Sequence, residues 1–104
     1  MINQGGYTDA MTCLEIIELR TTETDQNALQ AYLATWQNEV NAAGKRAVVN
    51  VYKRTDLDTD FSIHVRYDAA TTETDVRILG EQLSLELRMF GLVNHTVWLE
   101  HQLK

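Results

Sequence analysis

Proline is missing altogether from this chain of 104 residues, so its turns fall to glycine, aspartate and threonine. A single cysteine, Cys13, excludes an internal disulfide, and its place in an apolar run reads as a buried, inert thiol. No apolar run approaches the length that crosses a bilayer, which argues against a membrane partner. The first dozen residues, MINQGGYTDAMT, have neither a basic n-region nor an apolar h-region, so they do not read as a signal peptide and cytoplasmic residence is the expectation. Basic residues are scarce as well: nine against fifteen acidic ones give a net charge of −6. Phosphate backbones need a clustered positive surface, so nucleic acid is not an expected partner. The short pairs Lys45–Arg46 and Lys53–Arg54 read as solvated strand ends.

Cofactor and metal signatures are absent too. The GKR at Gly44 lacks the upstream glycine and the Ser/Thr of a phosphate-binding loop, and no HExxH or HxH spacing occurs. His64, His95 and His101 with Glu100 carry ligating atoms but no ligating pattern, so neither a metal nor a cofactor is expected. Nothing supports a nucleophilic triad.

What the chain does contain is an ordinary globular composition, 44% hydrophobic and 23% charged. Its length is that of one domain with one core, taken as residues 12–104 after an N-terminal extension over 1–11. Tyr7 in that extension is placed either over a pocket or in loose chain. The pentapeptide TTETD occurs twice, at Thr21 and at Thr71. Behind the first copy, Leu29, Tyr32, Leu33, Trp36, Val40 and Ala43 recur at helical spacing, and Gly44 stands where a C-cap is wanted. Behind the second, Val76, Leu79, Leu83, Leu87 and Phe90 form another stripe, with Gly91 at its end. Threonine and acids suit helix starts because they cap free N–H groups and complement the dipole. The repeat therefore marks two helix starts.

Strand-like segments bracket both helices: Cys13 to Arg20, Arg46 to Lys53, Phe61 to Asp68 and Val93 to Glu100, rich in β-branched and aromatic residues. TDLDTD joins the second to the third as a hairpin. The order β-α-β-β-α-β predicts an α+β, ferredoxin-like sandwich, a four-stranded antiparallel sheet with two helices on one face. Phe61, Ile63, Val65, Tyr67, Val49, Val51, His95, Val97 and Leu99 then face the helices. Asn50, Tyr52, Ser62, His64, Arg66, Asn94, Thr96 and Trp98 face away, a polar yet aromatic surface suited to water, to a ligand or to another subunit. Strand one stays open in orientation, because Glu15 and Glu18 fall on opposite faces. Ile78, Leu85, Met89 and Leu92 lie opposite the second helix's core stripe and predict an oligomer contact.

The element order, the hairpin VVNVYKRTDLDTDFSIHVRYD and the late FGLVNHTVW resemble the dimeric α/β-barrel proteins, particularly the antibiotic-biosynthesis-monooxygenase-like group, over about Met11 to His101. The resemblance implies a homodimer whose two sheets face one another around a barrel-like interior. Some members oxidise aromatic polyketides without a cofactor, using Asn, Tyr, Trp and Arg. Here it implies a small aromatic ligand as partner, Asn50 and Arg66 stabilising an enolate or phenolate, and His64 as general base. Tyr52, Ser62, Asn94, Thr96 and Trp98 would line the ligand. Haem-degrading relatives place their histidine on a helix, which His64 does not match. The competing expectations are a non-catalytic dimeric module whose polar interior is mainly interface, and a sheet surface that engages a protein partner.

Overall fold

The computed structural model of the chain describes residues 11–21, 26–42, 47–68 and 73–103, with the backbone alone over 73–79. The elements run β1 (Thr12–Thr21), α1 (Gln26–Ala42), β2 (Ala47–Lys53), β3 (Asp60–Asp68), α2 (Glu73–Glu86), a 3₁₀ turn (Leu87–Met89) and β4 (Gly91–Leu99). All neighbouring strands are antiparallel in the order β2-β3-β1-β4. This is the expected ferredoxin-like α+β arrangement, in which each βαβ half leaves room for one strand of the other half.

Helices begin where the repeats predict. The first TTETD ends β1 at Thr21, and α1 starts directly after residues 22–25; within the second, α2 starts at Glu73. The capping residues 22–25 and 71–72 lie outside the described residues. So do Tyr7 with the rest of 1–10, Ala43, the Gly44 cap and the Lys45–Arg46 pair, and so do the side chains of Val76, Ile78 and Leu79.

The core forms where alternation on the strands meets the helical stripes. Phe61, Ile63, Val65 and Tyr67 on β3 and Val49 on β2 are buried under Leu29, Leu33 and Val40 of α1 and Leu83 of α2. Tyr32, Trp36, Val51, Phe90 and Val93 pack at its margin. Gln37 Nε2 donates to the Val49 carbonyl at 2.6 Å, and Tyr32 donates its hydroxyl to the Glu86 carboxylate, tying α1 to β2 and to α2. Burial raises the Tyr32 phenol above the usual tyrosine range, with the Glu86 carboxylate adding to it.

Two placements differ from the sequence reading. The apolar spacing predicts a helix through Phe90, whereas α2 ends at Glu86 and the 3₁₀ turn closes with Phe90 N–H on the Leu87 carbonyl at 2.9 Å. Leu92 is therefore a strand residue on the face away from the helices. The helical period misleads here because apolar residues continue, with Arg88 and Gly91 interspersed, through the turn and into the strand. Gly91 fixes the change of direction: it pairs with Thr21, and a Cβ there would meet the Arg20 carbonyl oxygen at 2.0 Å. Val97 and Leu99 do share the helix-side face but are half exposed, because β4 is an edge strand that the helices leave partly uncovered.

Strand β1, ambiguous in sequence, turns Cys13, Glu15, Ile17 and Leu19 inward and Leu14, Ile16, Glu18 and Arg20 outward. A carboxylate thus enters the core, and Gly80 of α2 makes the space for it: a Cβ at Gly80 would stand 2.2 Å from Glu15 Oε1. Gly80→Ala should destabilise the fold by roughly 2 kcal/mol in urea unfolding, outweighing the helix-propensity gain of about 1 kcal/mol. A variant as stable as the parent would mean that the carboxylate is free to move.

Candidate functional site

The outward face of the sheet is a grid set by strand register. Reading across β2, β3, β1 and β4, one row is Val48, Arg66, Leu14 and Trp98, and the next is Asn50, His64, Ile16 and Thr96. The third is Tyr52, Ser62, Glu18 and Asn94, and Asp60, Arg20 and Leu92 follow on the last three strands. All eight outward residues expected from sequence lie on this face. What alternation on one strand does not reveal is the apolar filling from β1, where Leu14 and Ile16 are half-buried among them.

Within the grid the expected residues form two groups. His64 Nε2 shares a hydrogen bond with Ser62 Oγ at 3.1 Å, and its ring lies 4.7 Å, centroid to centroid, from that of Tyr52. Asn50 is its direct register partner. Arg66 belongs to the other group, in an open hollow of about 310 Å³ with Thr12, Leu14, Trp98 and Glu100. The Trp98 indole N–H donates to Thr96 Oγ1 at 2.8 Å. A larger open hollow of about 530 Å³ lies toward the opposite end of the sheet, where Tyr52, Ser62, Leu92 and Asn94 meet Glu18, Arg20 and Arg54. Asn94 Nδ2 donates to Glu18 Oε1 at 3.3 Å. Asn50, His64 and Thr96 sit between the two hollows and line neither.

The larger hollow is walled by an ion cluster. Asp60 accepts from Arg20 through both carboxylate oxygens, at 3.0 and 3.1 Å, and from Arg54 at 3.3 Å. The Arg20 hydrogen bond holds the Asp60 carboxyl well below its usual range, at about 2. Arg54 also pairs with Asp56 at 2.7 Å.

A second polar constellation lies on the other side of the sheet, and here sequence reasoning missed the connection. Glu15 is 1% exposed, and its carboxylate accepts from Tyr67 Oη at 2.9 Å and pairs with His95 Nε2 at 2.8 Å. His95 Nδ1 meets Ser84 Oγ at 3.2 Å, Ser84 also donates to the Gly80 carbonyl at 2.8 Å, and the Cys13 thiol donates to Tyr67 Oη at 3.2 Å. Burial, with the Cys13 and Glu15 hydrogen bonds, pushes the Tyr67 phenol far above the usual tyrosine range. Among the described residues no buried side-chain polar atom lacks a partner. The signal was available: Glu15 alternates in phase with Cys13, Ile17 and Leu19, and His95 shares the helix-side face of β4. Both ring nitrogens of His95 are occupied and Ser84 is buried, so this cluster clasps β1, β3, β4 and α2 together and presents no free base to a substrate. Among the described residues no three His, Cys, Asp or Glu side chains gather as a metal site, and no described helix is long and apolar enough to cross a membrane.

No family model matches the chain, and no curated protein is similar to it in sequence. Solved structures are similar in fold. A candidate antibiotic biosynthesis monooxygenase from Nitrosomonas europaea superposes with a TM-score of 0.64 at 15% identity, over 99% of this chain and 96% of its own. A conserved protein from Bacteroides thetaiotaomicron, described as of unknown function and a possible oxidoreductase, gives 0.65 at 9% identity over 88% and 99%. A conserved protein from Methanosarcina mazei gives 0.63 at 7% identity over 89% and 96%. At these identities the likeness is one of architecture: the chain shares the ferredoxin-like α+β fold of these structures.

Two outcomes follow from the geometry. His95→Ala, which strands a buried carboxylate, should lower unfolding free energy by about 2–4 kcal/mol in urea titration, whereas Glu15→Gln, which keeps a polar group in place, should cost less. Asp60, whose folded carboxyl is depressed, contributes stability that is present above its unfolded pKa of about 4 and is lost as pH falls through about 2. Thermal midpoints recorded from pH 5 to pH 2 should therefore fall less steeply in Asp60→Asn than in the parent; parallel curves would assign the acid sensitivity to other carboxylates.

Proposed function

We propose that the protein acts as a cytoplasmic homodimer that closes over its two outward sheet faces and holds a small aromatic ligand between them, with cofactor-independent monooxygenation as its reaction class. The observation that carries this reading is the composition of the grid. A sheet face left in water is expected to be polar, yet here Trp98 is 57% and Leu92 71% exposed, with Val48 and Tyr52 about half exposed beside them. Apolar and aromatic groups stand in every row, next to hydrogen-bonding ones. That mixture suits a surface which is covered on assembly and binds an amphipathic ligand. The names of two fold neighbours, a candidate monooxygenase and a possible oxidoreductase, supply the reaction class.

In this reading His64, oriented by Ser62 and packed on Tyr52, removes a proton from a phenol or enol. Asn50 and Arg66 stabilise the resulting anion, and Tyr52, Ser62, Asn94, Thr96 and Trp98 contact the ligand. Leu92 belongs to the covered face, while Leu85 on α2 and Met89 in the 3₁₀ turn, both exposed, serve a separate contact. One observation favours the alternative, a non-catalytic dimeric or protein-interaction module: His64 and Asn50 line neither hollow, as expected if their row packs directly against the partner.

Light scattering should give twice the 11.9 kDa of one chain, and Ile16→Glu in the centre of the grid should return the monomer. The dimer should consume oxygen with hydroxylated aromatic substrates in the absence of metal or added cofactor, and His64→Ala should slow that consumption on the order of 10²-fold. A dimer that takes up no oxygen would leave the non-catalytic module standing; a monomer would remove both dimeric readings and favour a sheet surface that engages a protein partner.

A further inference from the structure

Three arginines project from the outward face, and their surroundings differ. Arg20 and Arg54 share the Asp60 carboxylate, and Arg54 has Asp56 as well. Arg66 has no ion pair or side-chain hydrogen bond with any other described residue, although acids outnumber bases in the chain. Its register neighbours are apolar, Val48 on β2 and Leu14 on β1. Asp68, two positions along the strand, is engaged in an interaction of its own. Glu100 lines the same hollow and accepts from the Thr12 N–H at 3.0 Å through Oε1, and among the described residues it forms no ion pair with Arg66.

Across Leu14 from Arg66 stands Trp98, more than half exposed. Two strand spacings separate their backbones, about 10 Å. The Trp98 N–H is already committed to Thr96, which leaves the indole to make ring contacts. The hollow between them is lined by the Arg66 cation, the Trp98 ring and the apolar Leu14 and Leu99, with Thr12 and Glu100 completing it. A guanidinium presents a planar fork of donors that matches a carboxylate in two parallel hydrogen bonds, and it is charged at every physiological pH. Covering such a group without a counter-charge is unfavourable, because a desolvated charge needs a partner. If the face closes as proposed above, Arg66 is covered without an ion pair to any described residue, and an enclosed anion would supply one.

From this we infer that the row Arg66–Leu14–Trp98 is a subsite for an aromatic carboxylate: the carboxylate lies on the Arg66 guanidinium and the ring covers Leu14 and stacks against Trp98. The inference rests on the outward face being the ligand-binding face, and it names the ligand's chemical class. The neutral amide of the same ring keeps the apolar contacts but loses the charge-assisted pair, which makes it the discriminating control.

The test uses the full chain with 2-naphthoate and 2-naphthamide, followed through the Trp98 indole N–H resonance, with light scattering on the same samples. Naphthoate should shift that resonance saturably, and naphthamide should bind at least about tenfold more weakly. Arg66→Ala should weaken naphthoate binding by about the same factor, and Arg66→Lys should restore only part of it. Equal responses to acid and amide, no saturation by naphthoate, or unchanged affinity in Arg66→Ala would each overturn the subsite. Light scattering separates this from the assembly: a dimer that binds no naphthoate and dissociates in Arg66→Ala would assign the counter-charge to the partner chain, ending the subsite but not the dimer. A monomer that binds naphthoate through Arg66 would keep the subsite and end the enclosed interior.

Discussion

One buried carboxylate organises this fold. Glu15 sits in the middle of the first strand, in phase with Cys13, Ile17 and Leu19, and an ionisable group there is tolerated only if its lone pairs are filled. The partners come from separate elements. Tyr67 reaches it from β3 on one side and His95 from β4 on the other, while Gly80 of α2 withdraws its side chain to leave the carboxylate room. Ser84 then holds the far nitrogen of His95. Shifting β4 by one residue along β1 would carry His95 to the other face and leave the carboxylate short of a donor. Register, helix placement and the pairing of both central neighbours are thus tied to a single side chain.

The consequence for function is a division of labour between the two faces of the sheet. The helix-side polar groups are spent on one another, and every buried one that is described has its partner. The outward face is different in kind: its polar groups are partly paired, its arginine nearest the indole forms no ion pair with a described residue, and its apolar residues stand open. A rigid interior cluster beneath an incompletely satisfied surface is the arrangement that binding sites on scaffold strands require, because side chains placed by a fixed sheet keep their spacing.

Much of this was legible in the residues. The segment β3 alternates cleanly, so its faces follow from period two, and the order of elements alone constrains the sheet to a few topologies. Three features were not legible, each for a physical reason. β1 carries an acid in both phases, Glu15 and Glu18, so hydropathy cannot decide which is buried; the answer lies in donors on strands distant in sequence. The end of α2 was hidden because Leu87, Met89, Phe90, Leu92 and Val93 continue the apolar supply while the backbone passes from helix to 3₁₀ turn to strand. The candidate site was read as one cluster, whereas register divides it: Arg66 and Trp98 fall in one row with Leu14 between, and His64 in the next. Periodicity names the face on which a residue lies, but only pairing says which residues are neighbours there.

The pairing of β1 with β4 also bears on how the chain is made. The strand synthesised first waits for the strand synthesised last, since Thr12–Thr21 finds one of its two neighbours only in Gly91–Leu99. On the ribosome, a nascent chain that already holds β1, β2 and β3 still has a bare central edge and a carboxylate lacking its imidazole. Such an intermediate offers an open strand to any other extended segment nearby. Completion of the sheet therefore waits for Gly91–Leu99, and deletion of that segment would bare one edge of the central strand β1 and remove the imidazole from Glu15.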